Sequence, residues 1–226
     1  MKRHSGLREN LEHVNISKGD VMKNVIGLLV TLLINYLVIT NIVDVVLLGR
    51  LTFRFSGKSY VKRYVIPKSN RIDIQTGLQC SAFSAAYVLR HFGTEADGDT
   101  LYPAMPHKMK NGYVYPRGVC DLLHRHGVNA KYCRGNLNAL KADLQKGHPV
   151  IVMIRVQKDK DWLHYVPVVG FDEEYLFLAE SLPELINCEY GLYNRQIRNG
   201  DFLQLWDTAM IKQPFYKNTY FIFNDR

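Results

Sequence analysis

The sequence predicts an α+β domain, with helices packed on an antiparallel sheet, behind an N-terminal transmembrane helix. Three observations predict it. Residues 25–48 form one long apolar run in which only Asp44 is charged. Apolar residues at helical spacing then recur over 80–92, 117–126 and 136–145. Short runs of strand character follow at 150–156, 164–171, 175–180 and 219–223. Helices first and strands afterwards is the order of an α+β layout.

The N-terminal run comes first in the chain. A spanning helix needs roughly 20 mostly apolar residues to cross the hydrocarbon layer, and this one is apolar on every face rather than along one stripe. Lys23 and Arg50 bracket it. A buried soluble helix is usually shorter, and a cleaved signal sequence would carry a shorter apolar core and a small-residue cleavage site, so an uncleaved single-pass anchor is expected. Basic residues flank both ends, so the charge rule does not set the side of the soluble domain; the extracytoplasmic side is the working expectation.

Charge position is informative. Residues 1–71 carry twelve Lys/Arg against four Asp/Glu, which accounts for the whole formal charge of +8. The remainder is neutral, and phosphate binding needs a basic footprint, so no nucleic-acid partner is expected there. The division that follows is a basic segment 1–24, a transmembrane helix 25–48, a basic juxtamembrane linker 49–70 suited to anionic headgroups, and a folded domain 71–226.

Within that domain, Ala82, Phe83, Ala86, Tyr87 and Leu89 share helical spacing, and Gly93 supplies the stop. Gly127 ends the second helix, and Asn136 or Asn138 caps the third. Gly147 and Pro149 open the first strand. The next two strands flank the acidic turn Asp172-Glu173-Glu174 and read as a hairpin.

The candidate chemistry begins at Cys80, at the head of its helix. The helix dipole places about half a positive charge there, which favours the thiolate of a cysteine so placed. His164 begins the strand His-Tyr-Val-Pro-Val-Val-Gly-Phe, and His164, Val166 and Val168 share one face. Pairing Phe171 with Tyr175 sets His164 opposite Leu182 and Val166 opposite Glu180, so Glu180 is a same-face diagonal neighbour of His164. A slip of one residue would remove it. A carboxylate on one imidazole nitrogen leaves the other for a thiol. Gln75 precedes Cys80 by five residues and can supply a side-chain amide to an oxyanion hole, with Gln79 the alternative. Trp162 is expected in a substrate groove and Tyr113 in the core.

The strings Gln75-Thr-Gly-Leu-Gln-Cys80-Ser-Ala-Phe-Ser-Ala-Ala, Lys146-Gly-His-Pro-Val-Ile-Val, His164-Tyr-Val-Pro-Val-Val-Gly-Phe-Asp and Phe177-Leu-Ala-Glu180-Ser together resemble the bacteriocin-processing (double-glycine leader) cysteine peptidases of the papain-like clan. The resemblance spans about residues 64–226. It implies a papain-like fold, a peptide or protein substrate and no cofactor, with Cys80 as nucleophile, His164 as base, Glu180 as orienter and Gln75 as oxyanion donor. Two positions depart from the family pattern: Ser81 stands where Gly is usual, and Glu180 where Asp is usual. They motivate the alternative of an inactive binding module; an acyl transferase or amidase using the same Cys-His pair is the other.

The four cysteines, Cys80, Cys120, Cys133 and Cys188, include no CxxC pair. Cys120 and His124 lie one turn apart, but structural zinc needs four ligands, and no metal is expected. If Cys80 is catalytic, the other three allow at most one disulfide within the chain.

Overall fold

The computed structural model describes residues 18–43, 46, 50–57, 61–160, 162–209 and 216–224. The chain divides into two compact units, Met1–Asn41 and Ile42–Arg226.

The first unit is built on helix α1, Lys18–Val43, which starts seven residues before the expected run. It is long and apolar enough to cross a membrane, and its leucines, isoleucines and valines from Val21 to Ile42 are exposed rather than packed into a core. Its polar side chains turn back on their own backbone. Thr31 Oγ1 donates to the Gly27 carbonyl (2.9 Å), Asn35 Nδ2 to Thr31 (3.0 Å) and Asn41 Nδ2 to Leu37 (2.7 Å). Such bonds lower the cost of a polar group in an apolar medium. Asp44 lies outside the described residues.

The second unit is the α+β domain. Its helices are α2 (Cys80–His91), α3 (Gly98–Leu101), α4 (Pro116–Arg125), α5 (Leu137–Leu144) and α6 (Asn199–Trp206). Its strands are β1 (Thr52–Arg54), β2 (Tyr64–Val65), β3 (Asn129–Gly135), β4 (Val150–Arg155), β5 (Leu163–Phe171), β6 (Tyr175–Leu178), β7 (Arg195–Arg198) and β8 (Thr219–Asn224). Among the described residues these form one eight-stranded sheet in the order β1-β3-β8-β4-β5-β6-β7, with β2 paired to β5. Neighbours are antiparallel except β1 and β3, which run parallel. Asn136 is the cap of α5, its Oδ1 accepting from the Ala139 N–H at 2.8 Å.

Both faces of the sheet are covered. Ile151, Met153, Tyr165 and Phe221 pack with Ala82, Ala85, Ala86 and Leu89 of α2 and Leu122 and Leu123 of α4. Val150, Val152, Ile154, Val166 and Val168 pack with Leu140 and Leu144 of α5 and Phe202 and Trp206 of α6. A strand buried on both sides reads as an unbroken apolar run, which is why Val150–Ile154 shows no alternation. Each fully buried side chain of this size contributes about 1.5–3 kcal/mol.

The expected linker 49–70 needs correction. Two of the eight strands come from it. Thr52–Arg54 pair with Cys133–Gly135, and Tyr64 and Val65 pair with Phe171 and Gly170. Arg54 grips the buried Asp143 through Nε (2.8 Å) and Nη2 (2.6 Å), and Tyr220 donates its hydroxyl to the same carboxylate at 2.9 Å. Strands of two or three residues carry no readable period, and their basic side chains look like solvated chain. The strand β3 and the β7–α6 pair also lie outside the elements expected from sequence.

The hairpin shows one difference with a large consequence. Phe171 pairs with Leu176 and Gly170 with Phe177, one residue away from the expected register. An irregularity between Val168 and Gly170 absorbs the extra residue, and Val168 then faces Leu178. That is the pairing the expected register gives at this point. Beyond the bulge, Glu180 and His164 are therefore on one face.

Candidate active site

Helix α2 places Cys80. Almost every residue of α2 is buried, so the helix is fixed by packing along its length. Cys80 begins it, and its backbone N–H is one of the helix's unpartnered donors. One turn later, Ser84 Oγ donates to the Tyr165 carbonyl at 3.0 Å, which staples the cysteine's helix to the strand of His164.

His164 is 1% exposed. Its Nε2 lies 2.7 Å from Glu180 Oε1, and Cys80 lies close enough to the ring to act on its charge. With Nε2 taken by the carboxylate, Nδ1 is the nitrogen on the thiol side. Burial works against the imidazolium, yet the Glu180 carboxylate and the Cys80 contact outweigh it, and the His164 pKa rises from 6.5 to about 9.

Glu180 is fully buried. Oε1 also accepts from the Leu182 N–H at 2.9 Å, and Oε2 accepts from Arg195 Nη1 at 2.7 Å. Burial pushes this carboxyl up, but His164, Arg195 and the Leu182 N–H together bring it down from 4.5 to about 2. Asn194 holds the backbone of the same residue, its Oδ1 accepting from Glu180 N–H (2.7 Å) and its Nδ2 donating to Glu180 C=O (2.8 Å). Neither Asn194 nor Arg195 was legible as a site residue, because the strand that carries Arg195 was itself unrecognised. The only sequence signal is a basic residue in an otherwise polar-apolar alternation.

Gln75 is also buried, and both ends of its amide are held. Oε1 accepts from Ser181 Oγ (2.7 Å), and Nε2 donates to the Gly77 carbonyl (2.5 Å). Its backbone N–H donates to the Ser181 carbonyl at 2.9 Å. The consecutive residues Glu180 and Ser181 thus fix His164 on one side and Gln75 on the other. Gln79 precedes Cys80 with its Oε1 buried and unpartnered.

The family profile described as the Peptidase_C39 like family matches residues 65–208, well over half of the chain. The chain belongs to the Peptidase_C39 like family. Two solved structures share its fold. The peptidase domain of Streptococcus ComA, a bifunctional ABC transporter of a quorum-sensing pathway, aligns with a TM-score of 0.52 at 15% identity, covering 70% of this chain and 100% of its own. A C39-like peptidase described from Bacillus anthracis aligns at 0.53 and 15% identity, covering 72% and 98%. A double-glycine motif protease from an AMS/PCAT transporter, solved with its leader peptide, aligns at 0.47 and 15% identity over 72% and 98%. Comparison with curated proteins finds no match.

For a C39-like domain, the flank beside Cys80 is aromatic. Trp162 is 41% exposed. Tyr113, expected in the core, is only half-buried and lies near both Cys80 and Trp162. Tyr165, next to His164, is buried in the core, its hydroxyl donating to the Val114 carbonyl at 3.1 Å. Ser81 is buried in α2. All four cysteines are free thiols. Burial pushes Cys120 up to about 12 and Cys133 up to about 11. Among the described residues no cluster of three or more His, Cys, Asp or Glu side chains is arranged to hold a metal ion.

Proposed function

We propose that this C39-like domain is an active cysteine peptidase, held at a membrane by α1, with Cys80 as nucleophile, His164 as general base and acid, Glu180 as orienter and Gln75 as oxyanion donor. The observation that carries the reading is the convergence of three groups: His164 Nε2 lies 2.7 Å from Glu180 Oε1, and Cys80, at the head of α2, lies close enough to the imidazole to act on its charge. A thiol, an imidazole and a carboxylate in that order are the parts nucleophilic catalysis needs.

In this mechanism His164 takes the Cys80 proton and the thiolate adds to the peptide carbonyl. The Cys80 N–H and the second hydrogen of the Gln75 amide hold the oxyanion. Collapse of the tetrahedral species breaks the C–N bond, and His164 gives its proton to the leaving amine. Water, deprotonated by His164, then cleaves the thioester and restores the thiol. A double-glycine leader peptide is the substrate class to try first, on the strength of the family.

The test is labelling of the full chain in detergent micelles with iodoacetamide at neutral pH, followed by peptide mapping. Cys80 is expected to react well ahead of Cys120 and Cys133, and Cys80→Ala to abolish the fast phase. Equal fast labelling of wild type and Cys80→Ala would overturn the reading. Incubation of a cleaved peptide with an added amine separates hydrolysis from acyl transfer, because hydrolysis yields no amine adduct.

A further inference from the structure

The fold places three ionisable side chains in one row, from β5 past the end of β6 to β7. His164 of β5 lies on one side of Glu180. Arg195 opens β7 opposite Leu178 of β6, and Glu180 follows Leu178 by two residues, so Arg195 reaches Glu180 from the other side as its same-face diagonal neighbour. All three are buried. The groups facing this carboxylate are His164 from β5, Arg195 from β7 and the Leu182 N–H, and Cys80 from α2 faces the far side of the imidazole.

We propose, resting on the peptidase reading above, that Arg195 is a positioning residue of this enzyme: it fixes the Glu180 carboxylate in the plane that presents Oε1 to His164 and keeps it ionised there. Two observations on geometry support this. Each oxygen of the carboxylate has its own nitrogen partner at 2.7 Å, so neither can rotate into the other's place without breaking a charge-assisted hydrogen bond. A glutamate also has one more rotatable bond than the aspartate usual at this position, and Arg195 together with the Asn194 clamp removes that freedom. Without Arg195, Oε2 would be a buried, unpaired anionic oxygen, and the Cys80–His164–Glu180 group would lose a positive charge from its surroundings. Both changes make the thiolate–imidazolium pair harder to form.

The test follows the pH dependence of Cys80 alkylation by iodoacetamide in the full chain in micelles, read by mass spectrometry of the Cys80 peptide. Loss of an opposite charge within about 4–6 Å moves the titration of its direct neighbour by roughly 1–3 units; that neighbour is Glu180, and Cys80 feels the change only through His164, so Arg195→Met is expected to raise the pH of half-maximal alkylation by a fraction of that, on the order of 0.5 unit. Arg195→Lys is expected to return most of the shift. A profile for Arg195→Met that coincides with wild type, even with lowered thermal stability, would assign Arg195 to stability alone and overturn the proposal. Should Arg195→Met not fold, Glu180→Gln and the double variant Glu180→Gln/Arg195→Met decide the case, because the double variant leaves no buried guanidinium without its counter-charge. Their profiles superimpose if Arg195 acts through Glu180; a gap on the order of 0.5 unit or more overturns it. The peptidase reading fails separately, and beforehand, if wild-type Cys80 reacts no faster at neutral pH than the half-buried Cys188.

Discussion

Glu180→Gln is the substitution whose cost the structure specifies most closely. The wild-type carboxylate is fully buried and accepts three hydrogen bonds, from His164 Nε2, the Leu182 N–H and Arg195 Nη1. Glutamine keeps the volume but offers one oxygen and one NH2 group. If the oxygen faces His164 and Leu182, the NH2 group meets the Arg195 donor; if it faces Arg195, two donors on the other side go unpaired. In either pose the guanidinium of Arg195, 8% exposed, loses its counter-charge. Removing one partner of a buried ion pair costs about 3–5 kcal/mol. We expect that loss in urea unfolding of the full chain at pH 6, as a lower midpoint with an unchanged slope. The double variant Glu180→Gln/Arg195→Met should lose less than the two single losses added together, by about 1–3 kcal/mol, the coupling expected of residues in one network. A Glu180→Gln midpoint within about 1 kcal/mol of wild type, or strict additivity in the double variant, would refute this account of the site.

The same pair sets a pH window for stability. Glu180 is depressed from 4.5 to about 2, so its contribution is complete above the unfolded value and is lost as pH falls toward 2. His164 is raised from 6.5 to about 9, so its contribution is complete below 6.5 and is lost as pH rises toward 9. Thermal melts of wild type should therefore be highest near pH 5–6, between those values, and the alkaline decline should flatten in His164→Gln. Ser181→Ala removes the hydroxyl that orients the Gln75 amide; it should weaken a peptide-aldehyde inhibitor about tenfold, the cost of about 1.4 kcal/mol in oxyanion binding, while leaving the alkylation rate of Cys80 unchanged. Gly135→Ala would put a methyl group 2.4 Å from the Arg54 carbonyl; it should force β1 away from β3 and cost about 1–3 kcal/mol in urea, whereas a free linker at residues 52–54 would make it neutral.

The residues that carry the proposed chemistry lay in segments whose local signals are strong. The helix of Cys80 has an apolar face, a glycine stop and little charge, and it forms from Cys80 to His91 against an expected 80–92. The strand of His164 and its acidic turn mark a hairpin that pairs as a hairpin. The Glu180 assignment depended on more than this. At the turn the register is one residue away from expectation, and without the irregularity near Val169 the carboxylate would point to the other face. Backbone pairing preferences at one site and side-chain packing at another set a bulge's position, and neither is written in a local pattern. Arg195 opens a strand that pairs along the edge of β6, and Asn194 is the residue before it.

What the amino-acid sequence determined by itself was local: an apolar helix long enough for a bilayer, a cysteine at a helix mouth, a histidine at the head of a buried strand. Each follows from the spacing of side chains along a few turns or one strand. Only the folded domain decided which distant groups meet. It drew residues 52–54 and 64–65 into the sheet, restored the hairpin register, and set Arg195 against Glu180. Those outcomes depend on contacts between segments tens of residues apart, whose free energy exists only once the strands are paired and buried.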